Sequence, residues 1–249
     1  MRPRRGRAPP SARTARSVGY PTPVPVEPLT PKSERTRQRI LTAALALFGE
    51  KGFAATTMRD IAARAEVSLG LTYRYFGRKE DLAAALYERM SDALHDTAAG
   101  LYGGTVASRF ETLMSATIQH LDAHREAFCA LAARAFDPTD DIGVLGEATE
   151  PIRARARATW EALLSGADDA PPSPEDRARL ADVLYAVDLL VVLIWTQDRD
   201  PARTATKEAI AAVTQALAVG RPLLALPMGA AMLAQAASIA GKLGIGRLH

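Results

Sequence analysis

Residues 57–76 read TMRDIAARAEVSLGLTYRYF, and this stretch decides the fold. Thr57 is an N-cap residue, and Asp60 stands three positions later, the spacing of a capping box. Met58, Ile61, Ala62 and Ala65 then recur at helical spacing, so a short helix starts at Thr57. Glu66 and Val67 interrupt that pattern. Ser68 is a second N-cap residue and opens another helix through Phe76. Two short helices joined by a three- or four-residue turn have the dimensions of a DNA-binding helix-turn-helix. On the second helix, Leu69, Thr72, Tyr73 and Phe76 fall at i, i+3, i+4 and i+7, which predicts an inward face. Leu71, Arg74 and Tyr75 are left for the outer one.

Upstream, Ile40, Leu41, Ala44, Leu45 and Phe48 form one apolar face of a helix expected from Lys32 to Gly52. Gly52 is placed to end it with a left-handed residue, and Phe53 to fold back on the last turn. Downstream, a fourth helix from about Lys79 carries Leu82, Leu86, Met90 and Leu94. Beyond 103–104 the helical period predicts helices near 105–123, 125–136, 145–165, 175–198, 204–224 and 228–242, with loops at 137–143 and 167–174. The fold class is therefore all-α. The expected organisation is a tail over 1–31, a helix-turn-helix domain over 32–78 and a larger helical domain over 79–249.

The chain has 249 residues, 48% of them hydrophobic and 24% charged, which suits a globular protein with a sizeable core. Its longest apolar run, from Leu189 to Trp195, is far too short to span a bilayer. Cys129 is the single cysteine, so neither an internal disulfide nor a zinc finger fits, and the expected compartment is the cytoplasm. Charge is uneven. Residues 1–31 carry six basic groups and one acidic, residues 32–95 eleven and eight, and residues 96–249 fourteen and nineteen, so only the N-terminal part suits a polyanion. The arginines of 1–31 sit in a Pro-rich, aperiodic segment that reads as a disordered tail, either simply solvated or an arm adding phosphate contacts.

The stretch RILTAALALFGEKGFAATTMRDIA (39–62), followed by Val67-Ser68, Gly70, Tyr73-Arg74-Tyr75-Phe76 and Lys79-Glu80, closely resembles the TetR family of bacterial regulators. The resemblance implies a homodimer with a three-helix DNA-binding domain and a divergent helical ligand-binding domain. It implies a repressor that a small molecule releases from a palindromic double-stranded operator. Carried over by position, it makes Thr57, Tyr73, Tyr75 and Lys79 phosphate contacts and sets Ser68, Leu69, Gly70, Leu71 and Arg74 at or beside base edges. Two positions depart from the family pattern. Glu66 stands in the turn where Gly is usual, and Thr72 where a larger aliphatic residue enters the core.

In the C-terminal part, helix 175–198 is apolar nearly all round in its second half, so it is buried on most sides. It either forms an intersubunit four-helix bundle with 204–224, or is a wholly intramolecular central helix. Asp188 in that helix must be paired or hydrogen-bonded, to a ligand or to protein neighbours. With it, Phe110, Met114, Phe128, Trp160, Tyr185 and Trp195 are the candidate ligand-lining residues, against a plain core role for each. His120 and His124 stand one turn apart, but no third metal ligand accompanies them, and no metal or cofactor is expected. Phosphate loops, nucleophile elbows and paired Glu-x-x-His motifs are missing, so an enzyme is not expected. The competing reading is a helical ligand-binding module without sequence-specific DNA activity.

Overall fold

The computed structural model describes residues 30–135, 143, 146, 149–224 and 226–246. Its described elements are all helices: α1 Pro31–Ala55, α2 Met58–Arg64, α3 Leu69–Tyr75, α4 Lys79–Ala99, α5 Val106–Asp122, α6 Arg125–Ala135, α7 Glu150–Ser165, α8 Pro174–Gln197, α9 Thr204–Leu224 and α10 Pro227–Lys242. The expected 1–31 tail lies outside the described residues except for its last two. Those two begin α1: the Thr30 hydroxyl accepts from the Ser33 N–H at 3.3 Å and Pro31 occupies the first turn, where its fixed φ suits a helix.

The regular turns of α1 break at Gly52, as its sequence signal predicts, but with φ 81° and ψ 162°. This is extended backbone at positive φ, which only glycine adopts freely, and not the left-handed helical cap expected. Phe53 does fold back, its ring centroid 5.0 Å from that of Phe48. At the other discrepancy, α7 starts at Glu150 instead of 145, because the backbone before it is used differently. The Thr149 hydroxyl donates to the carbonyls of Gly143 at 2.6 Å and Gly146 at 2.9 Å, folding the approach into a turn. The 137–143 loop is outside the described residues apart from Gly143.

Two cores form. The first joins Ile40, Leu41, Ala44 and Phe48 of α1 with Ile61 of α2, Phe76 behind α3, and Leu82 and Leu86 of α4. Ala127 and Leu131 of α6 belong to it as well. The second core is built from Phe110 and Met114 of α5, Trp160 and Leu163 of α7, and Leu184 and Trp195 of α8. An ordered joint ties α5, α6 and α8 together: Asp122 accepts from the Trp195 indole at 2.9 Å and from Arg203 at 2.8 Å. Arg125 stacks 4.6 Å over the Trp195 ring and donates to the carbonyls of Trp195 and Asp198, capping the end of α8.

The N-terminal core therefore does not stop at residue 78. α4 and α6 enter both cores, Leu82 and Leu86 in one, Met90 and Leu94 against the other. α1 and α6 approach so closely at Gly49 that an added Cβ would meet Glu126 Cβ at 3.3 Å and the Ala127 nitrogen at 3.4 Å.

Candidate nucleic-acid interface and effector cavity

The helix-turn-helix unit is held rigid by side chains that its sequence supplies locally. The Thr57 hydroxyl accepts from the Asp60 N–H at 3.2 Å, and the Asp60 carboxylate accepts from the Thr57 N–H at 2.9 Å, a complete capping box. Lys51 adds an ion pair to the same carboxylate at 2.6 Å. Lys51, and then Thr57, hold the Asp60 carboxyl well below the usual range. Ser68 caps α3 by accepting from the Leu71 N–H at 3.1 Å. Thr72 is fully buried, as the departure at that position predicts, and its hydroxyl donates to the Ser68 carbonyl at 3.2 Å.

Glu66 adopts φ 52°, so the turn keeps the left-handed geometry for which glycine is suited. The turn is braced from α1: Arg39 donates to the carbonyls of Ala65 at 2.5 Å and Glu66 at 3.4 Å, and its guanidinium lies 3.6 Å from the Glu66 carboxylate. That carboxylate is 87% exposed, so the ion pair contributes little. Glu66→Gly removes the strain and leaves the carbonyl contacts. It should raise stability by about 1 kcal/mol, read as a higher melting temperature. A lower one would show that the Arg39–Glu66 pair outweighs the strain.

α3 packs Leu69, Thr72 and its C-cap residue Phe76 inward as the helical wheel predicts and departs from it at its two tyrosines. Tyr73, placed on the inward face, is instead 50% exposed. Tyr75, placed outward, is half-buried, and its hydroxyl lies 2.7 Å from the Ser33 hydroxyl on α1. A seven-residue helix is steered by its few contacts, and the tyrosine that finds a hydrogen-bond partner turns inward. The outer face thus consists of Ser68, Gly70, Tyr73 and Arg74, with Leu69 and Leu71 half-buried at its sides. Lys79 is occupied by protein: its ammonium donates to the carbonyls of Phe53 at 2.6 Å and Thr56 at 2.8 Å, and lies 4.4 Å from the Phe53 ring centroid.

In the C-terminal part, α4, α5, α6, α7 and α8 line a partly open cavity of about 150 Å³ with a mostly apolar wall. Phe128, Trp160, Tyr185, Asp188 and Trp195 all line it. Asp188 accepts from the Trp160 indole, but its Oδ1 has no hydrogen-bond partner. Burial pushes its carboxyl up to about 7. Burial, and then the Asp188 charge, also raise the Tyr185 phenol.

Comparison with known proteins agrees with this arrangement. The family model described as bacterial regulatory proteins, tetR family, matches residues 40–86. The repressor KstR of Mycolicibacterium smegmatis is 32% identical over 182 residues, 69% of this chain and 81% of KstR. An HTH-type transcriptional repressor of Mycobacterium tuberculosis is 46% identical over 61 residues, 24% of this chain. That match spans only 32% of the M. tuberculosis protein. Among solved structures, a tetR-family regulator from Streptomyces coelicolor aligns with a TM-score of 0.57 at 24% identity, over 82% of this chain and 88% of its own. A putative TetR-family regulator from Syntrophomonas wolfei gives 0.60 at 22% identity, over 75% and 96%. Those two likenesses concern the fold. The chain belongs to the TetR family.

Within this TetR-family chain, the expected DNA-facing residues do not all share one surface. Ser68, Gly70, Tyr73 and Arg74 do, Thr57 is exposed at the start of α2, and Tyr75 and Lys79 are engaged with α1. Of the seven expected cavity residues, five line it. Phe110 and Met114 are fully buried in the adjoining core, Phe110 stacked at 5.7 Å on Trp160. Sequence reasoning missed Arg39, whose turn-bracing role depends on tertiary approach. It also missed Tyr87, Ser91 and Arg153 in the cavity wall, for which periodicity gives no signal. Among the described residues no group of three or more His, Cys, Asp or Glu is placed to hold a metal, and the His120 ring lies 2.8 Å from the Ala116 carbonyl oxygen.

Proposed function

We propose that this chain is a dimeric DNA-binding transcriptional repressor that leaves a palindromic operator when a small molecule occupies the C-terminal cavity. The observation that carries this reading is the outer face of α3. A rigidly capped helix presents Gly70, Tyr73 and Arg74 to solvent, as a helix entering a major groove requires. The regulators named above support the same reading, whereas a ligand-binding module without DNA activity would have no use for this face. An enzymatic role has no support from these relatives. No described helix is long and apolar enough to cross a membrane, and a cytoplasmic regulator is consistent with that.

A route from cavity to DNA is available through the two shared helices. α4 contributes Leu82 and Leu86 to the N-terminal core and Met90, Ser91 and Leu94 to the cavity wall. α6 contributes Ala127 and Leu131 to that core and Phe128 and Ala132 to the wall. The close approach at Gly49 leaves little slack between α6 and α1. A ligand that moves either helix thus biases the position of the helix-turn-helix, provided it binds the two arrangements unequally.

Dimerisation is assigned to α8 and α9. Leu190 and Leu193 on α8 and Val219 on α9 are exposed in the single chain, and Ala212 and Ala216 keep the α9 face narrow enough for close helix packing. Leu190→Glu should convert a sedimenting dimer to monomer and weaken retardation of DNA from the upstream region of the gene. A variant that stays dimeric and binds unchanged would move the interface elsewhere.

A further inference from the structure

The ligand class follows from what the cavity wall presents, on the reading of that cavity as the effector site. We propose that it takes a small hydrophobic amine, whose ammonium group pairs with Asp188 while its hydrocarbon part lies against Trp160, Trp195 and Phe128.

Asp188 is the decisive group. Its side chain faces a mostly apolar cavity, and the Trp160 indole satisfies only part of the carboxylate, leaving Oδ1 without a partner. A buried carboxylate with an open oxygen is unfavourable until a donor arrives, and a cationic donor relieves it most. Aromatic side chains in the same wall, Trp160, Trp195 and Phe128, add attraction for a cation. The other charged group in the wall, Arg153, is already occupied. It donates to the Gly146 carbonyl at 2.7 Å and the Thr149 hydroxyl at 3.0 Å, with the Glu150 carboxylate 3.9 Å away. Size is consistent too, since a cavity of about 150 Å³ holds a benzene-sized molecule.

A second depression, lined by Glu88, Ser91, Asp92, Pro151, Ile152 and Arg155, lies between α4 and α7. Ser91 and Ile152 line both hollows, so the depression adjoins the cavity there. Asp92 and Arg155 pair across it at 3.0 Å, and Glu88, which also feels the Arg37 charge, adds a second carboxylate to its wall.

Calorimetric titration of the full chain with benzylamine, benzyl alcohol and benzoate tests this directly, because the three share one ring and differ in the polar group. Benzylamine should bind more tightly than benzyl alcohol by about tenfold or more, the size of a hydrogen bond to a charged partner. The preference should vanish in Asp188→Asn and persist in Trp160→Phe, which keeps a ring and removes the competing indole N–H. Binding of benzyl alcohol as tight as that of benzylamine, or an equal preference in Asp188→Asn, overturns the proposal. Tighter binding of benzoate does so as well, by making Arg153 the anchor. In each of those cases the cavity remains a binding site. If none of the three binds, the proposal and the effector-site reading fall together.

Discussion

Gly70→Ala should raise the melting temperature and lower affinity for DNA, two effects of opposite sign from one methyl group. Nothing in the chain lies within 4 Å of a Cβ added at Gly70, and the residue is in the regular part of α3. The fold itself gives no reason for glycine there. Glycine inside a helix is about 1 kcal/mol less favourable than alanine, so the free protein should gain stability of that order. Gly70 is exposed on the same side of α3 as Tyr73 and Arg74, the face proposed to meet the duplex. A methyl group forced into a close-packed contact costs about 1–3 kcal/mol, which is roughly five- to 150-fold in affinity. Melting and retardation assays on one preparation check both signs. Stability and affinity rising together would show that α3 does not lie against DNA.

Asp188→Asn should remove a pH dependence of stability that the wild-type chain carries between about pH 4 and pH 7. Burial raises the folded-state carboxyl to about 7 from an ordinary unfolded value near 4. Within that window the folded chain holds a proton that the unfolded chain has released, so stability falls as pH rises and levels off above about 7. The difference amounts to about 4 kcal/mol. Other groups act on the same melting curve. Glu88 is raised by burial and has the same sign, whereas Asp122, Asp198 and Asp200 are held low and lose their contribution in acid. Near Asp188, Tyr185 is raised further from the window. The informative quantity is therefore the difference between Asp188→Asn and wild type. It should grow in favour of the variant from pH 4 to pH 7. A difference that stays constant over that range would mean that Asp188 titrates normally.

How much of this could be read from sequence depends on how local the cause is. The capping box at Thr57 and Asp60, the Ser68 cap, the break at Gly52 and the positive φ at Glu66 are all set within a few residues, and each stands where the sequence put it. Helix positions were equally accessible, because the 3.6-residue period persists over long segments. The inward turn of Tyr75 was not, since it depends on Ser33, 42 residues away, meeting the Tyr75 hydroxyl. Lys79 likewise finds its carbonyl partners only once the end of α1 has folded beside it. The cavity was legible in part. Large aromatic residues and a carboxylate in an apolar helix pointed to Trp160, Trp195, Tyr185 and Asp188, but the same logic included Phe110 and Met114, which fill the core. Residue size and period do not say which side of a side chain is left empty.

Two copies of α3 are proposed to read DNA as a symmetric pair. Hydroxyl-radical footprinting of the full chain on the upstream region of its gene tests it most directly. The expected result is two protected stretches related by a dyad, their centres about one helical turn or a small multiple apart. Protection of a single asymmetric stretch by one subunit, or no protection at protein concentrations where the dimer is formed, would contradict it.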